Sequence, residues 1–169
     1  MKNTLTCLAA VAVAAFAVPF PAIAATADAS AGLKVDKRLV QRGQYLAKIA
    51  GCNDCHTPGY AMSGGKVPES QWLLGDSLGW RGPWGTTYPV NLRLYMRDMS
   101  EETWVKTAKS VKSRPPMPWF ALHDMTDTDL KAIYHFTRSL GPAGEPAPAF
   151  VQPGVEPKGP YVQFPAPPK

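Results

Sequence analysis

The sequence predicts an all-α fold: three main helices, long irregular loops between them, and a proline-rich C-terminal tail. Apolar residues recur at helical spacing in three stretches, roughly 36–49, 100–111 and 126–140. Each stretch opens on a side chain able to cap a helix: Asp36, Ser100 and Thr126. The rest is rich in Gly, Pro and scattered aromatics, with little regular pattern.

The 169 residues allow one domain with appendages. Residues 1–24 read as a secretory signal peptide. Lys2 gives a positive start, Leu8 to Phe20 an apolar run, and Ala22-Ile23-Ala24 a small-residue cleavage site. An uncleaved anchor is the rival reading, but the run is too short for a membrane span and nothing later is longer. A periplasmic location is therefore expected, and a mature chain keeping only Cys52 and Cys55 of its three cysteines. Residues 25–35 form a loose leader, 36–141 the folded domain and 142–169 an extension.

The first helix carries Leu39, Gly43, Leu46 and Ala50 at helical spacing, with Val40 and Ala47 beside them. Gly43 costs about 1 kcal/mol relative to Ala there, which close approach of another helix would explain as well as a tolerated surface Gly. Glu101 and Glu102 favour the dipole of the second helix. Its inward stripe is Trp104, Ala108 and Val111. Its other stripe, Lys106, Lys109 and Lys112, reads as a solvated face or a docking patch for an acidic partner. The third has Leu130, Ile133, Tyr134, Thr137 and Leu140 facing inward, with His135 among the polar positions, and Gly141-Pro142 stops it. Nine of the eighteen prolines fall in 141–169, a segment expected to lie extended along the globule. The net charge of +5 is mild and not gathered in one block, so nucleic acid is a poor partner.

The chemistry centres on Cys52-Asn53-Asp54-Cys55-His56, which reads C-x-x-C-H. Two thiols three positions apart on one turn can each add to a vinyl group of one haem, and the adjoining His can ligate its iron. A zinc site needs a second ligand pair that three Cys and three His do not supply. A thioredoxin-like pair needs a βαβ setting that is absent. A chance match in a disulfide-bonded loop is the plainest rival. One motif means one haem c, attached through Cys52 and Cys55. Trp72, Trp80, Trp84, Tyr88 and Tyr95 are expected in loops around it. Polar contacts to its propionates are expected in 80–91, with Trp84, Tyr88 and Asn91 as the cofactor-binding choices. For the far side of the iron Met117 is the best placed, on a loop fixed by Pro115, Pro116 and Pro118. Met125 and His123 are its rivals, ahead of Met62, Met96 and Met99.

With these residues in view, the chain resembles the class I cytochrome c family over about residues 36–140. The resemblance rests on Arg42-Gly43-Gln44-Tyr45-Leu46-Ala47, on Cys52 to His56, on Met117-Pro118-Trp119 and on residues 125–134. Within the family it is most similar to the mono-haem modules of cytochrome subunits serving membrane-bound alcohol and aldehyde dehydrogenases. Gly85-Thr86-Thr87-Tyr88 to Asn91 is similar to their middle segment. The resemblance implies a small α-helical fold around one haem, with His56 proximal and Met117 distal. Those subunits carry three haem motifs and this chain one, and its Pro-rich tail is not a feature of the family.

The expected function is single-electron transfer between periplasmic redox proteins, a dehydrogenase and a terminal oxidase among them, rather than enzyme catalysis. Two alternatives stand beside it. One is a haem enzyme or gas sensor with a displaceable distal ligand and His123 as its acid–base group. The other is a fixed electron-transfer subunit of a membrane-bound dehydrogenase or oxidase.

Overall fold

Three side-chain caps set the helical frame. In the computed structural model, which describes residues 36–165, Asp36 accepts the Arg38 N–H at 2.8 Å and opens α1 (Lys37–Ile49). Ser100 accepts the Thr103 N–H at 3.1 Å and opens α4 (Glu101–Ser110). Thr126 accepts the Asp129 N–H at 3.1 Å and opens α6 (Asp127–Ser139). Each bond satisfies a donor that the first helical turn leaves without a backbone partner. Shorter helices lie between: α2 (Cys52–His56), α3 (Leu92–Tyr95) and α5 (Trp119–Asp124), with one 3-10 turn at Glu69–Gln71. The signal-peptide and leader readings lie outside the described residues. Among the described residues no helix is long and apolar enough to cross a membrane.

α6 is the centre of the core, packed against α1 and α4. Leu130, Ile133, Tyr134 and Thr137 are buried as their spacing predicts, but so are Ala132, His135 and Phe136. His135 was expected among polar positions. It is 7% exposed because α4 brings Glu101 over it, Nε2 lying 2.8 Å from the carboxylate. Gly43 is the contact point of α1 with α6. A Cβ there would overlap the Ala132 carbonyl oxygen and lie 2.6 Å from the Phe136 Cβ. The helix–helix approach, not tolerance, explains this glycine.

The all-α expectation is corrected by a three-stranded mixed sheet, so the fold is mixed α and β. β1 (Gly79–Gly82) and β2 (Gly85–Thr87) form an antiparallel hairpin in the register Trp80 to Thr87 and Arg81 to Thr86. Pro83 and Trp84 make its turn, and Gly85 leaves it at φ +99°, a region that favours glycine. β3 (Tyr161–Gln163), from the proline-rich extension, pairs parallel to β1 on its other side, giving the order β2-β1-β3. Strands of three or four residues, half of them Gly in β1, carry no alternation to read, and β3 joins from some eighty positions away. The described part of the extension is bound at several points. Thr86 and Val151 exchange backbone hydrogen bonds at 2.8 and 3.0 Å, and the Phe164 ring meets Trp80 and Trp84 at 5.9 and 5.4 Å between centroids.

Arg93 joins distant parts of this frame. It is 7% exposed, and its guanidinium donates to the carbonyls of Ser70 (2.8 Å), Gly141 (2.6 Å) and Leu140. It thereby covers the open carbonyls at the end of α6.

Candidate cofactor cavity

The Cys52–His56 turn is held by its own sequence. Gly51 enters it at φ +73°, a left-handed conformation that a side chain would strain. Asn53 is fully buried and accepts the Thr57 hydroxyl at 2.8 Å, while Thr57 Oγ1 accepts the Leu73 N–H at 2.8 Å. The His56 carbonyl accepts the Gly75 N–H at 2.8 Å. One helical turn thus carries Cys52 and Cys55 at i and i+3, on one face.

His56 is buried, with Nδ1 at 2.8 Å from the Val90 carbonyl. A carbonyl only accepts, so Nδ1 carries the proton and Nε2 is left with its lone pair. A carbonyl held on Nδ1 in this way fixes the tautomer and the orientation of an imidazole that ligates through Nε2. Burial lowers the His56 pKa, partly offset by the Val90 carbonyl, and favours the neutral ring. Burial also pushes the Cys52 thiol up to about 11 and raises that of Cys55, which Asp54 and Asp76 raise further. No disulfide joins Cys52 to Cys55, and their shifts run opposite to those of an activated nucleophile or a redox C-x-x-C pair.

Cys52, Cys55 and His56 line a cavity of about 730 Å³, and so does Met117, from the loop between α4 and α5. That size falls within the roughly 300–1,000 Å³ of cofactor and ligand sites. The Thr87 hydroxyl donates to the Pro115 carbonyl at 2.7 Å and ties the Met117 loop to β2. Apolar walls come from Trp80, Tyr95, Trp104 and Leu122 among others.

The other expected site residues divide. Tyr88 lines the cavity. Trp84 and Asn91 are not among its lining residues. Trp84 packs on Phe164 and donates Nε1–H to the Trp80 carbonyl at 3.3 Å. Asn91 is 3% exposed and caps α3 by accepting the Leu94 N–H. Its Nδ2 donates to Ala143 O at 2.8 Å and Glu145 O at 3.2 Å, so its polar atoms are engaged in joining the extension to the body.

Of the sulfur and imidazole alternatives to Met117, only Met125 lines the cavity. It is packed against the core cluster around Leu130 and Trp104. Met96 is buried in that core and Met62 is 93% exposed. His123 Nε2 is 2.9 Å from the Val111 carbonyl and its ring lies 5.0 Å from Trp119. Lys109, expected on a surface stripe, instead donates to the His123 carbonyl at 3.2 Å and to the Met125 carbonyl.

Sequence reasoning missed Arg114, Pro148 and Phe150 as parts of this site, and placed Val90 only within the 80–91 stretch. Val90 acts through its carbonyl, which side-chain identity does not reveal. Phe150 was noticeable only as an aromatic in a segment otherwise suited to a free tail. Comparison of the chain with models of known protein families, with curated proteins and with solved structures found no match.

Proposed function

We propose that this chain is an exported c-type cytochrome that carries one haem and passes single electrons between periplasmic proteins. The observation that carries the reading is the meeting of Cys52, Cys55, His56 and Met117 on one cavity, from segments far apart in sequence. The donor set fits the cofactor. Two thiols on one turn would suit two thioether bonds, and an imidazole with Nε2 unencumbered and a methionine thioether would each suit the iron. The volume and the apolar walls fit as well.

Bound there, haem supplies a one-electron couple whose potential a methionine ligand raises. The protein's residues do the rest. Cys52 and Cys55 hold the group against loss. Val90 orients His56 through Nδ1. Pro116 and Pro118 limit the movement of Met117, which lowers the ordering cost of a soft ligand. Trp80, Tyr95 and Trp104 exclude water, which keeps the local dielectric low. Met117 is preferred over Met125 because Met125 already packs the junction of α4, α5 and α6. With the distal position closed, the chain is a carrier rather than an enzyme. The signal-peptide pattern of residues 1–24 supports attachment and function in the periplasm.

The test is the optical spectrum of the haem-loaded protein, oxidised and reduced, with and without carbon monoxide. The expected result is a low-spin spectrum with a far-red sulfur-to-iron band that Met117→Ala abolishes and Met125→Ala retains, and no response to carbon monoxide. Rapid carbon monoxide binding by the wild-type chain would sink the closed-carrier reading, and loss of the band in Met125→Ala alone would reassign the ligand.

A further inference from the structure

The charge of the cavity is one-sided. Among its described lining residues Lys112 and Arg114 are cationic, and no Asp or Glu is present. Both sit in the loop that carries Met117, ahead of it, where side chains reach solvent. Arg114 is not free to wander there. Its guanidinium carbon lies 3.8 Å over the centroid of the Phe150 ring, and Phe150 itself lines the cavity. Stacking on an aromatic face holds the guanidinium and leaves its N–H groups at the edge of the plane. That fork matches a carboxylate bidentately, as a lysine ammonium does not.

Phe150 is in turn held by the sheet. Its neighbour Val151 exchanges both backbone hydrogen bonds with Thr86 of β2, and beyond it the chain runs on to β3. The C-terminal extension is therefore a wall of the cavity as well as a strand of the sheet.

We propose that Arg114, held in place by Phe150 of the C-terminal extension, is the carboxylate-binding residue of the cavity, with Lys112 as a second cation beside it. This rests on the haem reading, because haem brings two propionates to a cavity that offers two cations and no lining acid. Phe150 is a positioning residue, acting through Arg114.

The experiment uses the full, haem-loaded chain and begins with intact mass and haem staining on a denaturing gel. Absence of covalent haem would overturn both the haem reading and this one. With haem attached, the reduction potential is followed over about pH 5–8, the range into which burial without a counter-ion raises a carboxylic acid. The wild-type potential is expected to be flat with pH. Arg114→Gln is expected to lower it, since a nearby cation favours the reduced state, and to make it fall as pH rises, since a protonated propionate favours reduction. Arg114→Lys should show about half that slope, keeping the charge without the fork. Phe150→Ala should shift it in the same direction but less, and Phe150→Trp should restore the flat profile. An Arg114→Gln or Arg114→Lys protein with haem attached and a wild-type profile would overturn the assignment of Arg114. A shift in Phe150→Ala that Phe150→Trp fails to rescue would overturn the positioning role.

Discussion

The α1–α6 pair and the β2-β1-β3 sheet are built on opposite principles. The helices are defined locally, by caps one residue ahead of them and by apolar stripes within them, and they meet through a glycine chosen for closeness. The sheet is defined by distance. Its hairpin is four residues against three, and its third strand comes from the far end of the chain. A short strand cannot bury enough of itself to be stable alone. The helical pair therefore supplies stability, while Trp80 of β1 and Thr87 of β2 supply walls for the cavity.

Breaking the helical contact should have the largest effect. Gly43→Ala forces a methyl against the Ala132 carbonyl and the Phe136 Cβ, with backbone on one side that cannot yield. A loss of about 3 kcal/mol is expected, read as a lowered denaturant midpoint with unchanged slope. A midpoint within experimental error of wild type would mean that α1 and α6 do not meet at this residue. Next comes Arg93→Met, which removes the donor shared by the Ser70, Leu140 and Gly141 carbonyls and should cost about 2 kcal/mol by the same measurement.

The sheet should respond differently. Val151→Pro removes the N–H that the Thr86 carbonyl accepts and should cost about 1 kcal/mol. The loss should appear as faster hydrogen exchange confined to residues 79–87 and 161–163, with α1 and α6 unchanged. Uniform acceleration would show that the two regions unfold as one unit. The smallest effect is the pH dependence at Glu101. Burial opposes its charge, but hydrogen bonds from Lys131 and His135 outweigh that and hold its carboxyl below the ordinary 4.5. A depressed folded pKa contributes stability that is present above about 4.5 and is lost as pH falls through the folded value. Glu101→Gln should flatten the acid limb of a stability–pH curve and leave the Gly43 effect untouched.

The same contrast explains what the sequence discloses. Asp36, Ser100 and Thr126 announce their helices because a cap acts within three residues of itself. Cys52, Cys55 and His56 are legible for the same reason, since one turn holds the whole motif, and Met117 stands out because prolines flank it. The partners of Trp84 and Asn91 are not legible, because composition says that a residue can donate a hydrogen bond, not to whom. Asn91 gives its bonds to the Ala143 and Glu145 carbonyls, partners more than fifty positions away. His135 looked polar along its helix and became buried through Glu101, on another one. The sheet stayed hidden because none of its strands is long enough to show a period.

The placement of Phe150 and β3 has a consequence for assembly in time. A chain is made from its N-terminus, and early elements fold first. Among the described residues the Cys52–His56 turn and all six α-helices precede residues 148–163 on the chain. As the chain emerges N-terminus first, in synthesis or in export, the thiols, the imidazole and the Met117 loop arrive before the side formed by Pro148 and Phe150. The order of the sequence leaves a doorway beside the reactive turn, and the extension is the panel fitted after it.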